Sequence, residues 1–195
     1  MENLIEITGL NQDLLIFLAI DLTIAIVLLG AMRFVSGLSA GVNTQEELAQ
    51  KDNFAFGISL AGSIAALGIV LTGAITGETA SSFMMEVVGM LSYGLYGLIL
   101  IKVGRVIHDK IALQQIDKTA LIKEKNLTIG LVDAAGAIAT AIIIRAVLLW
   151  VDGLDLNTFI AITSGFVVAQ TMLVLVTRIK EKQYAKNNQQ DSLQE

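Results

Sequence analysis

The sequence contains no cysteine, no proline and only one histidine. Without cysteine there are no disulfides, thiolate metal sites or cysteine nucleophiles. One imidazole leaves almost no material for paired-histidine metal sites or histidine relays. There is no phosphate-cradling glycine loop, no HExxH pair and no GxSxG elbow. The reading is therefore non-enzymatic, with no catalytic residues, no metal and no cofactor. The lack of proline leaves the helices without proline kinks, which a broken-helix transporter usually has, although glycine can supply one. Charge is scarce too. Only 16% of residues are Asp, Glu, Lys or Arg, and the formal net charge of -5 argues against nucleic acid as a partner. What is abundant is apolar surface: 54% of the 195 residues are hydrophobic and mean hydropathy is +0.71, too apolar for an ordinary soluble domain.

A bilayer's hydrocarbon is about 30 Å thick, so a crossing helix needs roughly 20 apolar residues. Five windows qualify, at 14–35, 54–76, 83–104, 127–150 and 157–177. Their continuous Leu, Ile, Ala and Gly content excludes the alternating polarity of a membrane β-barrel. The expected fold is all-α, an integral membrane bundle of five helices forming one domain over 1–180, followed by a polar cytoplasmic tail at 181–195 that frays into solvent. The first window is read as a span and not as a cleaved signal peptide, because no basic region precedes it and Asp21 interrupts it.

Lys and Arg in short loops stay on the cytoplasmic side. Segments 1–13, 77–82 and 151–156 contain only acids: Glu2, Glu6, Asp13, Glu78, Asp152 and Asp155. The other connections, their helix ends and the tail hold 12 of the 13 basic residues, Arg145 being the exception. The amino end is therefore expected outside and the carboxyl end inside, in a bacterial inner membrane.

Shifting the chain on itself by 73 positions aligns Leu48, Asn53, Gly57, Ala61, Ala66 and Ile69 with Leu121, Asn126, Gly130, Ala134, Ala139 and Ile142. Thr44 falls on Asp117, both able to cap a helix, and Glu47 would complete a capping box after Thr44. Segments 44–74 and 117–147 thus read as a parallel internal duplication, related by a pseudo-twofold along the membrane normal. The phrases TQEELAQKDNFAFGISLAG and LIKEKNLTIGLVDAAGAIATAIIIRA, over roughly residues 40–150, resemble the bacterial YjfL-like family, domain of unknown function 350. The resemblance implies an inner-membrane protein built on duplicated helix pairs, encoded among envelope-stress and polyamine-ligase-like neighbours. Many such proteins look four-spanned, so a fifth span is a departure. The family offers no catalytic residues to transfer.

In lipid, helices associate through small residues that let backbones approach. Gly57, Ala61, Ala65, Gly68 and Thr72 form one stripe, and Gly130, Ala134, Ala137 and Ala141 another. Both are expected to pack within the bundle, with self-association the competing use. Ionisable groups near the bilayer centre cost about 2.5–3.5 kcal/mol, so each needs a reason. Asp21, Glu86 and Arg145 lie at comparable depth toward the outside, and Arg145 is expected to pair with Glu86 or Asp21. Asp133 lies nearer the cytoplasmic end, with Gln170, or among cations Lys102, at its level. Its counterpart in the other half is Leu60, which marks Asp133 as a candidate for proton or cation contact. Tyr93 reads as core with a bonded hydroxyl, and His108 as a solvated residue near headgroups. The stretch 105–125, with Val106, Ile107, Ile111 and Ile116, reads as lying along the inner leaflet and attracting anionic lipid.

Two functions follow as expectations. One is a scaffold or sensor component of a bacterial envelope system with a cytoplasmic protein partner. The alternative is a channel or transporter for an ion or small solute, with Asp133 in its path.

Overall fold

In the computed structural model, residues 12–75, 82–113, 117–151 and 153–191 are described. The expectations placed on Glu2, Glu6, Glu78, Ile116 and Asp152 lie outside the described residues. Among the described residues there are seven α-helices, one π-helical turn and no strand. In chain order the helices are α1 (Gln12–Ala40), α2 (Thr44–Ala49), α3 (Phe54–Ile75), α4 (Phe83–Ile107), α5 (Lys118–Lys123), α6 (Leu127–Leu148) and α7 (Leu156–Asp191), with the π-turn His108–Ala112 continuing α4. Five of them, α1, α3, α4, α6 and α7, are long and apolar enough to cross a bilayer. The chain is a multi-pass membrane protein. The short helices α2 and α5 lie at one end of the bundle, called here the α2/α5 end.

The helix ends follow from local chemistry. Asn53 Oδ1 accepts from Phe56 N (3.0 Å) and Asn126 Oδ1 from Ile129 N (3.3 Å), capping α3 and α6. The residue before each cap is left-handed, Asp52 at φ 48° and Lys125 at φ 64°. Asp117 caps α5 through Ala120 N at 3.0 Å, as expected. The cap of α2 is Asn43 rather than Thr44: Asn43 Oδ1 accepts from Gln45 N and Glu46 N. The expected capping box does not form, because the Glu47 carboxylate turns instead to Asn53 and Lys51.

Three lengths correct the sequence reading, the first being that of α1, which runs past Val35 to Ala40. The third span does not stop at Gly104, since the helix continues through Arg105 to Ile107 and on into the π-turn. Ile107, packed on the core, and the buried His108 and Ala112 keep this stretch against the bundle. The tail does not fray at residue 181 either, for α7 continues to Asp191. After Gly165 the chain has no glycine, and its Glu, Lys, Gln and Ala residues are good helix formers.

α3 is the central helix, with 56% of its span buried against 17% for α1 and 22% for α7. It lies along α6, and small residues make the contact possible. A Cβ placed on Gly62 would stand 2.3 Å from that of Ala134, and one on Gly130 would stand 2.5 Å from the Ala55 carbonyl oxygen. Gly130, Ala134, Ala137 and Ala141 are buried as read from the sequence. On α3 the stripe was placed on the wrong face. Ala61, Ala65 and Thr72 are exposed, and of the two glycines Gly68 has open space beside it while Gly57 meets Leu48. The packed face is Ala55, Ser59, Gly62, Ser63 and Ala66. Small residues surround α3 on all sides, so spacing alone does not choose between faces. Above these contacts Leu67, Val70, Ile101, Ile144 and Ile162 fill the middle of the bundle and are each at most 2% exposed.

Candidate functional site

The π-turn and α5 fold the chain back beneath α4 and α6, and this brings Lys118 to Asp133 although 15 residues separate them. Lys118 Nζ donates to Asp133 Oδ1 and also meets Asp109. From α4, Arg105 Nε donates to Asp133 Oδ1 at 3.2 Å, and an Arg105 terminal nitrogen pairs with Oδ2. The remaining guanidinium donors reach Ser63 Oγ and Ser59 Oγ on α3, each at 2.9 Å, while Ser59 Oγ itself donates to Asp133. Four elements therefore meet at one carboxylate. The side chains of Asp133, Lys118 and Arg105 are 2%, 5% and 16% exposed, so two cations share one acid largely out of water. Such a cluster tolerates burial only because nearly every donor is matched.

Next to it Asn53, 1% exposed, ties α2 to α5. Its Nδ2 donates to Glu47 Oε2 (2.8 Å) and to the Ile122 carbonyl (2.9 Å), while Lys51 Nζ donates to Glu47 Oε1 (2.9 Å). The Asn53 hydrogen bond and the Lys51 ammonium hold the Glu47 carboxyl below its ordinary value of 4.5, against the opposing effect of burial. Between these groups lies a cavity of about 100 Å³, walled by the ends of α1, α3 and α4 and by α5. Lys102, Arg105, Lys118 and Lys123 face it, with Glu47 and Asp109.

Several expectations are corrected here. Neither Lys102 nor Gln170 is the partner of Asp133: Gln170 Nε2 donates to Thr140 Oγ1 (2.8 Å), although Gln170 and Thr140 line a small pocket that Asp133 also reaches. His108 is buried, with its Nε2 3.2 Å from Thr177 Oγ1. Within 105–125 the described residues do not form a strip along a surface, because Lys118 and Ile122 turn inward. At the opposite end Arg145 Nε donates to Thr72 Oγ1 (3.0 Å), while Asp21 on α1 faces Glu86 on α4. Tyr93 hydroxyl donates to the Gly153 carbonyl, and Phe159 stacks edge-on to Tyr96 at 5.1 Å.

Sequence reasoning found Asp133 and missed both its cations. Arg105 lies one residue past the expected end of the third span, and Lys118 was counted as loop charge. Two signals were present. A buried acid needs a cation at its own depth, and the apolar residues after Gly104 continue the helix that carries one.

The profile of the family described as Domain of Unknown Function (DUF350) matches residues 9–148. The match takes in four spans, ends with the last residue of α6 and leaves α7 outside. It reaches further toward the amino end than the resemblance read from the two repeated phrases. No curated protein and no solved structure matches the chain.

Proposed function

The chain belongs to the DUF350 family, and from that premise we propose that it is a non-enzymatic sensor or scaffold component of a bacterial envelope system, seated in the cytoplasmic membrane. The observation that carries this reading is the seating of Lys118. A short helix outside the spans is held to the bundle by Lys118, which reaches the buried Asp133, together with the Asn53 hydrogen bond to the Ile122 carbonyl. Releasing α5 would leave Asp133 with Arg105 alone and uncover Ile122, which is 7% exposed and packs with Phe56 and Leu60. Such an element has two arrangements, docked and released, which a partner or membrane state can bias.

The positive-inside distribution makes the α2/α5 end cytoplasmic, with the amino end outside and the carboxyl end inside. The internal duplication is supported by a repeated order: short helix, left-handed residue, Asn cap, span. Thr72 and Arg145, equivalent under the 73-residue shift, are bonded to one another, as positions close to a pseudo-twofold axis would be. The outward stripe Ala61, Ala65, Gly68 and Thr72 supports self-association.

The alternative, transport of an ion or small solute past Asp133, has the buried charge in its favour. Against it stands the close-packed apolar layer of Leu67, Ile101 and Ile144 between Asp133 and the opposite end.

The native chain has no cysteine, so one labelling series tests the reading. Lys110→Cys should react with a membrane-impermeant thiol reagent only after permeabilisation, and Gly153→Cys in intact cells. Ile122→Cys should react slowly at rest and faster in cells under envelope stress, conditions in which pull-down should recover a reproducible cytoplasmic partner. Unchanged Ile122→Cys reactivity together with no partner rejects the sensor and scaffold reading. Ion flux into proteoliposomes that Asp133→Asn abolishes would put the transporter in its place.

A further inference from the structure

The cavity beneath α4 has more positive charge than its own acids use. Four cations, Lys102, Arg105, Lys118 and Lys123, face it. Of the nearby carboxylates, Asp133 and Asp109 are held by Arg105 and Lys118, and Glu47 by Lys51 and Asn53. Among the described residues, neither Lys102 nor Lys123 has a carboxylate within 4.0 Å. Lys102 is half-buried on α4, one helical turn from Arg105, so its ammonium is held beside other cations in a partly desolvated place. Like charges gathered around one cavity repel one another, and the repulsion falls when an anion enters.

We infer that this cavity binds a phosphate-type oxyanion, with the Lys102 and Lys123 ammonium groups as its direct ligands and Arg105 and Lys118 supplying the field behind them. The guanidinium of Arg105 already spends its donors on Asp133, Ser59 and Ser63, which leaves direct contact to the two lysines. Lysine binds phosphate as a point charge with rotatable donors and needs no fixed fork geometry. The volume of about 100 Å³ admits a compact anion. One wall of the cavity is α5 itself, so an anion bridging Lys102 on α4 and Lys123 on α5 would fasten α5 in its docked position. The inference rests on the sensor reading and adds to it the chemistry that is sensed. The same phosphate group could arrive as a free ion or on a phosphomonoester lipid headgroup, and the two sources separate by experiment.

The full chain, purified in nanodiscs of phosphatidylcholine, is titrated with inorganic phosphate against chloride at matched ionic strength, with thermal unfolding as the readout. In parallel, nanodiscs containing phosphatidic acid or phosphatidylglycerol are compared by native mass spectrometry for lipid retained on the protein. The expected result is saturable stabilisation by phosphate, retention of phosphatidic acid above phosphatidylglycerol, or both. Phosphate alone identifies a free anion, and phosphatidic acid alone a headgroup. The double variant Lys102→Gln with Lys123→Gln should weaken that binding by about tenfold or more, and Lys110→Gln, on an exposed residue outside the cavity, should not change it. Equal effects of phosphate and chloride together with no preference for phosphatidic acid, or binding unchanged in the double variant, would overturn the inference. The sensor reading is judged separately by the Ile122→Cys reactivity, so either proposal can fail while the other stands.

Discussion

The α2–α3 half and the α5–α6 half use the same parts and spend them differently. Each begins with a six-residue helix, passes through one left-handed residue, caps a 22-residue span with Asn and presents a small-residue face to the other. Yet α6 carries the charges, Asp133 and Arg145, while α3 carries the hydroxyls that meet them, Ser59 and Thr72. The asparagines differ as well, Asn53 being buried in a network and Asn126 exposed. Where Asp133 stands in one half, Leu60 stands in the other, 5% exposed and packed on Phe56, Ile122 and Ile129. Two similar halves in contact need no second charge where one carboxylate, with cations drawn from α4 and α5, already joins them. Divergence at that one position lets the bundle close around a single ion cluster instead of burying two like charges side by side.

The largest test of this contrast is Asp133→Asn. It leaves Arg105 and Lys118 buried without their shared acid, and removing one member of such a cluster costs about 3–5 kcal/mol. A strong drop in the thermal midpoint of the detergent-solubilised protein is expected. Removing all three charges together, with Asp133→Leu, Arg105→Met and Lys118→Met, should recover most of the loss, because well-packed apolar groups replace buried ion clusters at little cost. A single variant as stable as the parent would mean that α6 is not the half that carries the charge. The next effect concerns packing. Gly62→Ala forces apart the backbones of α3 and α6 and should cost about 1–3 kcal/mol. Gly68→Ala meets open space and should be neutral or stabilising by roughly 0.5–1 kcal/mol through helix propensity. Reversal of that order, by the same unfolding assay, would put the outward stripe inside the bundle.

The spans were legible because length and hydropathy are properties of a continuous run, and all five begin within two residues of their expected starts. Asp133 was legible because a lone acid in an apolar helix has few ordinary explanations. Its partners were not, because they depend on how far α4 continues past Gly104 and on how the π-turn redirects the chain. No pattern of apolar spacing encodes either. The face of α3 was misread for a related reason: Gly, Ala and Ser lie all round that helix, and only the shape of α6 selects which side is used. Arg145 follows the same logic. Matching depth suggested a carboxylate partner, whereas the neighbour its geometry supplies is the hydroxyl at the equivalent position of the other half.

Substitution of the paired asparagines sharpens the comparison further. Both lose a cap, worth about 1 kcal/mol. Asn53→Ala also strips a buried donor from Glu47 and from the Ile122 carbonyl, so its total should approach about 2 kcal/mol. Asn126→Ala should stay near the cap alone, and equal losses would remove the distinction between the two ends.

The smallest effect is a pH dependence from Glu47, which has no counterpart at the equivalent position, Ala120. In the folded protein the Glu47 carboxyl is held below its ordinary value of 4.5 by the Asn53 hydrogen bond and by Lys51. A lowered folded value means that the unfolded chain takes up the proton first as pH falls. The contribution of Glu47 is therefore fully present above about pH 5, shrinks as pH drops through 4.5 and is gone below the lowered folded value. Comparing the parent with Glu47→Gln isolates it from every other titrating group. Their difference in stability, followed by amide exchange of α2, should stay constant from neutral pH down to about 5 and then close. A difference that persists unchanged into strong acid would mean that Glu47 holds α2 by shape rather than by charge. The two halves would then differ in packing alone at this end.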